Sequence, residues 1–79
     1  MRLSARHAII LGMTIWVDQI FSARQAREGG MVRRALYDVN RLGAYEEIVE
    51  RARAEDWHVV EIGDQLAVLC HPGQIQLVC

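Results

Sequence analysis

The residues whose side chains could carry out chemistry are two histidines, a cysteine and a group of glutamates. His58 and His71 lie diagonally across one face of a sheet if the chain between them forms a hairpin with residue 58 opposite residue 69. Diagonal neighbours lie about 7–8 Å apart, so two imidazoles could approach one metal ion. A zinc site needs three or four ligands, and only glutamines lie near this pair. The sequence therefore predicts two partly exposed histidines and no metal site.

The sequence assembles neither a nucleophile nor an acid–base pair. Cys70 precedes His71, but consecutive residues of a strand point to opposite faces, so the thiol and the imidazole cannot meet. Glu46, Glu47 and Glu50 are followed by two arginines, as on a solvated helix face. No glycine-rich loop leads from a strand into a helix, so a phosphate-binding loop is excluded. We therefore predict a protein that is not an enzyme and uses no cofactor.

The charges are segregated along the chain. Residues 24–41 carry five arginines against two acidic residues, a net charge of +3, and residues 44–64 carry seven acidic residues against two arginines, a net charge of −5. The basic half predicts a patch that binds phosphates, an acidic partner or the acidic half of a second copy. Its members are Arg24, Arg27, Arg33, Arg34 and Arg41. Ordinary solvation of these side chains is the alternative.

The composition is that of a small globular domain. The chain has 79 residues, of which 52% are hydrophobic and 24% charged, with a formal net charge of −1. We expect one domain over residues 1–79, helical over about residues 4–55. The near-zero net charge excludes nucleic-acid binding by bulk charge alone. Two cysteines outside any C-x-x-C pair predict a reduced, cytoplasmic protein.

The elements that must position these residues begin with a long N-terminal segment. Helix-forming residues occupy positions 5–28, with Ser4 as the expected N-cap and Gly12 as the one interruption. Such a helix is about 36 Å long, so we expect a bend near Gly12. Its β-branched residues keep a strand over residues 4–12 as an alternative. The apolar run over residues 8–17 is too short to span a bilayer and lacks a signal-peptide cleavage site.

Two shorter helices are predicted next. Val32, Leu36 and Val39 have the spacing of one helix face, which predicts a helix over about residues 31–41. Apolar residues at the same spacing predict another over about residues 44–55.

The remainder has the alternation of strands and predicts a three-stranded antiparallel meander over about residues 57–79. Its strands are Trp57–Ile62, Gln65–Cys70 and Gln74–Cys79, and its turns are Gly63-Asp64 and Pro72-Gly73. Two-residue turns place residue 62 opposite 65, 60 opposite 67, 58 opposite 69, and 68 opposite 77. One face is the core face: Trp57, Val59, Leu66, Val68, Cys70, Ile75, Leu77 and Cys79. The fold class is therefore α+β, with two or three helices on this sheet.

The other sheet face is too apolar to be solvated in a monomer. It includes Val60, Ile62, Ala67, Leu69 and Val78. Either a helix covers this face or another molecule does, and the third strand is also an unpaired edge. We therefore predict a homodimer through this face.

The cysteines bear on the dimer separately. In the predicted register Cys70 and Cys79 are four residues apart along the strands, roughly 13–14 Å. A disulfide needs Cα atoms within about 7 Å. Any disulfide should therefore join two copies, as Cys70–Cys70 or Cys79–Cys79.

In length and economy the chain resembles small accessory proteins of phages and mobile elements, and within them anti-CRISPR proteins. The likeness is one of kind: one compact α+β domain, no catalytic set, surplus apolar surface and segregated charge. It implies binding to a CRISPR effector complex and blocking of its access to target DNA by steric or electrostatic competition. The alternatives are a small nucleic-acid-binding regulator that uses the arginine patch, and a structural or oligomerisation module.

Overall fold

The structure, a computed structural model, describes residues 15–79 and joins helices to a three-stranded antiparallel sheet. In chain order the elements are helical residues 15–22 (α1), Arg24–Arg27 (α2), Met31–Ala35 (β1), Leu36–Arg41 (α3), Tyr45–Ala54 (α4), His58–Ile62 (β2) and Gln65–Leu69 (β3). The predicted α+β class is confirmed. The bend near Gly12 and the choice between helix and strand over residues 4–12 lie outside the described residues. Within residues 15–79, no helix is long and apolar enough to cross a membrane.

The helix predicted to continue to residue 28 is interrupted at Ala23, whose φ of −60° and ψ of 154° are extended. The Ser22 hydroxyl donates a hydrogen bond of 2.7 Å to the carbonyl oxygen of Asp18, one turn earlier. Serine side chains that bond the preceding turn in this way compete with the backbone ladder. The helix then resumes as the single turn of α2 and ends at Arg27, one residue before the predicted end at residue 28.

The hairpin of β2 and β3 has the predicted turn and register. Residues 62 and 65, 60 and 67, and 58 and 69 are partners, as the two-residue turn requires. Gly63 has a φ of +58°, the left-handed conformation that a type II′ turn needs at its first position. Local turn chemistry therefore fixes this half of the sheet.

The third strand is β1, and the prediction of a helix over residues 31–35 is wrong. The sheet order is β1-β3-β2, so Val68 lies opposite Val32 and not opposite Leu77. In β3, Leu66, Ala67 and Val68 are all buried, and such a continuous apolar run is typical of a central strand that is paired on both sides. Within β1 only Val32 is buried, and its neighbours on both sides are exposed, as the period of a strand requires.

The predicted strand over residues 74–79 is not formed, because the chain is turned towards β2 and not back along β3. Nε2 of His58 donates a hydrogen bond of 2.7 Å to the carbonyl oxygen of Gly73. The Gly73 N–H in turn donates to Nδ1 of His71, 3.1 Å away. His58 and His71 therefore both form hydrogen bonds to the backbone of Gly73, in the Pro72-Gly73 bend.

Part of the predicted core face is wrong for the same reason. Ile75, Leu77 and Cys79 are exposed, with 89% of Leu77 accessible, because no strand carries them under the helices. The remainder of that face is confirmed at Leu66, Val68 and Cys70, which are buried. The other two members, Trp57 and Val59, are half-buried at its margin.

The core lies between the helices and this face of the sheet. The predicted third helix is confirmed as Tyr45–Ala54, and only residues 36–41 of the preceding one are helical. Gly43, with a φ of +64°, closes the short turn between them. The buried residues come from every layer: Val17, Ile20, Ala26, Val32, Val39, Ala44, Ile48, Ala52, Leu66, Val68 and Cys70.

Candidate interaction surfaces

The outer side of α4 and the adjoining part of β2 form an acidic surface, which we define as Glu46, Glu50 and Glu61 around Tyr45. All three carboxylates are exposed, and Tyr45 is half-buried between them and the core. Helical spacing places Glu46 and Glu50 one turn apart on the solvent side, because the buried positions of α4 are Ile48 and Ala52. The surface thus follows directly from the amphipathic pattern of α4.

One hydrogen bond joins the two elements of the acidic surface. The Tyr45 hydroxyl donates to Oε2 of Glu61 at 2.6 Å, between residues 16 positions apart in the chain. This hydrogen bond raises the pKa of Tyr45, and partial desolvation and the negative charge of Glu61 act in the same direction. Glu61 is therefore held on the helix side of the sheet beside α4.

The acidic surface contains a shallow depression lined by Tyr45, Glu46, Val49 and Glu50. It combines an aromatic ring and an aliphatic side chain with two carboxylates. This is the chemistry that receives a cationic side chain, since an ammonium or guanidinium can pair with the carboxylates and lie against the ring. A neighbouring arginine of the same chain, Arg53, already donates to Oε1 of Glu50 at 2.9 Å.

A second cluster fixes α1 against α4 and the start of β2. The rings of Phe21 and Trp57 stack with centroids 5.7 Å apart and an angle of 5° between their planes. The Arg51 guanidinium lies 4.8 Å from the centroid of Phe21 and forms an ion pair with Asp18. Because the Arg51 side chain points towards α1, its positive charge does not neutralise the carboxylates of the acidic surface.

Two of the five arginines of the predicted basic patch form local ion pairs. Arg24 contacts Glu28 at 2.9 Å, and Arg41 contacts Asp38 at 3.4 Å. All four side chains are largely exposed, so each pair contributes little to stability. Within the described part of the chain the other three arginines form no salt bridge.

The structure separates Arg33 from Arg34. They are consecutive residues of β1, not of the helix predicted over residues 31–41, so their side chains leave opposite faces of the sheet. Arg33 is exposed, whereas Arg34 is half-buried and its Nη1 donates to the carbonyl oxygen of Arg33 at 2.8 Å. A binding role for these arginines stays a prediction, but one helix face does not collect them.

The sheet surface that points away from the core, which we call the open sheet face, is mostly apolar. Among the predicted members Ile62 is 49% exposed, Val60 and Leu69 are half-buried, and Ala67 is completely buried in the central strand. Strand β1 adds three residues to this face: Met31, Arg33 and Ala35. The structure removes Val78, which is 90% exposed and belongs to no strand. Dimerisation through the open sheet face stays a prediction.

The two thiols differ in accessibility. Cys70 is 3% exposed, and burial raises its pKa, although a backbone hydrogen bond from Val32 opposes the shift. Its Sγ donates to the carbonyl oxygen of Val68 at 3.5 Å. Cys79 is exposed, and neither cysteine forms a disulfide. The roughly 13–14 Å separation predicted within one chain depends on a strand that is not formed, so it does not apply.

Sequence reasoning missed Tyr45 and Glu61 as functional residues. The alternation of β2 places Glu61 at the margin of the core face, and an acidic residue in such a position needs a hydrogen-bond partner. The position of Glu61 was the one signal in the sequence, and it does not identify Tyr45 as the hydrogen-bond donor.

Comparisons with known proteins found no relative. No family model matches the chain, and no curated protein or solved structure is similar to it. Within residues 15–79, no three histidine, cysteine, aspartate or glutamate side chains are grouped to hold a metal ion. The functional interpretation therefore depends on the surfaces described above.

Proposed function

We propose that this chain is a non-enzymatic, cytoplasmic inhibitor of anti-CRISPR type, encoded by a phage or mobile element, which binds a CRISPR effector complex and blocks its access to target DNA. The acidic surface carries the proposal. Effector complexes hold nucleic acid in a positively charged channel. A folded surface of carboxylates competes with phosphates for the same arginines and lysines.

The geometry of the acidic surface supports binding of a basic protein. Two elements present its carboxylates, and the hydrogen bond between Tyr45 and Glu61 joins them. The depression beside Tyr45 has room for a cationic side chain between Glu46 and Glu50. The Glu61 carboxylate, which the Tyr45 hydroxyl holds in place, loses less conformational entropy on binding than a free one.

The test measures whether the chain displaces a labelled target duplex from purified effector complexes of different types, by fluorescence anisotropy. We expect displacement from at least one complex, and loss of that displacement in Glu46→Lys. The matched control is Glu28→Lys, which makes the same change of charge at the exposed C-cap of α2, where Glu28 pairs with Arg24. Displacement from no complex, or equal loss in both variants, would contradict the proposal.

A second candidate, binding of duplex DNA, is favoured by the order of the elements. Helices α3 and α4 are joined by the three residues Leu42, Gly43 and Ala44, and a β-hairpin follows. Two helices joined by a short turn that contains glycine are the arrangement of a helix-turn-helix motif. In that motif the second helix enters the major groove with its N-terminal residues towards the bases.

The charge of α4 opposes this second candidate. Its first turn carries Glu46 and Glu47, and Glu50 follows one turn later. DNA affinity depends on arginines and lysines that neutralise phosphates, so these carboxylates would be repelled at the groove. We expect no retention on immobilised duplex DNA at physiological salt. Retention that falls steeply with salt and is abolished by Arg33→Glu would favour the nucleic-acid regulator.

A further inference from the structure

Strand β1 is an edge of the sheet with backbone groups directed outwards. The Cys70 N–H donates to the carbonyl oxygen of Gly30 at 2.9 Å, and the Leu36 N–H donates to that of Asp64 at 2.8 Å. These two bonds show that Gly30 and Leu36 belong to hydrogen-bonded pairs. Hydrogen-bonded and non-hydrogen-bonded pairs alternate along an antiparallel ladder, so Val32 and Arg34 also form hydrogen-bonded pairs with β3.

The remaining residues of β1, namely Met31, Arg33 and Ala35, therefore direct their N–H and C=O groups away from β3. A direct observation agrees with this alternation, because the Arg33 carbonyl oxygen accepts a hydrogen bond from the Arg34 side chain and none from the ladder. All three residues are exposed. Among residues 15–79 no strand pairs with these outward groups, so the edge can accept a further strand.

Residues 74–79 have the composition of a strand without a partner. The segment contains no charged residue and carries Ile75, Leu77 and Val78. Leu77 is 89% exposed and Val78 is 90% exposed. Within the described residues, the backbone of residues 74–79 makes no hydrogen bond to another element. Six extended residues span about 20 Å, enough to pair with all five residues of β1.

The segment cannot reach β1 of its own chain. His58 holds Gly73 beside β2, at the opposite edge of the sheet. A strand added outside β1 would lie three strand spacings away, about 14 Å. Crossing that distance uses about four of the six residues, which leaves too few to pair. Ile75 lines the same depression as Trp57 and Val59, so the segment begins beside the β2 edge.

We propose that two copies of this chain exchange residues 74–79, so that each segment adds a fourth strand to the β1 edge of the other copy. The exchange is reciprocal, which gives a closed two-fold dimer. Pairing of β1 with β1 is disfavoured, because it brings arginines of the two copies together. The uncharged segment avoids this repulsion and places Leu77 and Val78 on opposite faces of the enlarged sheet. The proposal is independent of the target proposed above.

The test measures the molar mass of the full chain in reductant by size-exclusion chromatography with light scattering, over a concentration series. We expect the wild type to have twice the 9.0 kDa mass of the chain. The double variant Leu77→Asp, Val78→Asp changes exposed side chains alone and should be monomeric. Arg33→Pro removes one outward N–H from the edge and should also be monomeric, whereas Arg33→Ala keeps that N–H and should remain dimeric.

A third variant separates strand exchange from packing of the open sheet faces. Ile62 is 49% exposed on that face and far from the β1 edge in the sheet order, so Ile62→Asp should remain dimeric. Two results would overturn the proposal: a monomeric wild type, or a dimer that persists in both exchange variants. In the second case, dissociation of Ile62→Asp would assign the dimer to the open sheet face. Far-ultraviolet circular dichroism of each variant confirms that it is folded.

Discussion

Proline substitutions at two consecutive residues of β1 test the register in which this strand pairs with β3. The Arg33 N–H points away from β3, whereas the Arg34 N–H lies in a hydrogen-bonded pair with Leu66. Proline removes the N–H and fixes φ near −65°. Arg33→Pro therefore removes an outward donor of an edge strand, and Arg34→Pro removes a donor of the ladder.

The two substitutions should differ in their effect on the free energy of unfolding. Leu66 is 2% exposed, so Arg34→Pro leaves its carbonyl group without a partner, and we expect a loss of about 2–4 kcal/mol. In the monomeric Leu77→Asp, Val78→Asp background, where no exchanged strand bonds the outward N–H, Arg33→Pro breaks no ladder hydrogen bond, and we expect a change within about 1 kcal/mol of zero.

The assay is urea denaturation in that background, followed by tryptophan fluorescence. Trp57 stacks on Phe21, and both Trp16 and Trp57 are half-buried and become solvated on unfolding. Arg33→Ala and Arg34→Ala are the references, because they remove the side chains and keep the N–H groups. For a domain of this size, 1 kcal/mol corresponds to about 4–8 °C in Tm. Equal losses for the two prolines, or a larger loss at Arg33, would refute the register.

Three further outcomes follow from the described contacts. Ile48 is completely buried, so Ile48→Ala should lower the free energy of unfolding by about 2–5 kcal/mol in urea denaturation. The pKa of Tyr45 is raised in the folded protein. Its hydrogen bond to Glu61 therefore stabilises the fold at pH values below the unfolded pKa, and this stabilisation is lost as the pH rises through the folded pKa. In an ultraviolet titration, the Tyr45→Phe variant should lack the phenolate step that occurs at the highest pH. A thiol reagent should label Cys79 at once and Cys70 only in denaturant, because Cys70 is buried with a raised pKa; equal labelling rates in the native protein would contradict its burial.

The sequence predicts the hairpin correctly because the information is local. Gly63 permits the left-handed turn, and alternation on both sides then sets every pair between β2 and β3. The helix α4 is also predictable, because Ile48 and Ala52 are buried one turn apart and its polar residues face solvent. In both cases neighbouring residues determine the period, and tertiary contacts agree with it.

Strand β1 could not be predicted in this way, because its sequence satisfies two periods. Val32, Leu36 and Val39 have helical spacing, yet Val32 is also the one inward residue of a five-residue strand. The choice depends on β3, more than 30 residues later in the chain, which needs a partner on each side. A non-local requirement of the central strand therefore overrides a local helical pattern at Met31–Ala35.

The pairing of β1 with β3, which overrides the helical pattern, also determines where the interaction surfaces lie. With β1 in the sheet, Arg33 occupies an edge, and α4 keeps the carboxylates of Glu46 and Glu50 on a separate element. Strand exchange and inhibition therefore use different residues and can be separated. The variant Leu77→Asp, Val78→Asp should lose dimerisation and keep an intact acidic surface. If that monomer displaces DNA as well as the wild type does, a single acidic surface suffices. If its displacement weakens while Glu46→Lys remains dimeric, the target engages both copies, because linking two surfaces raises their effective concentration.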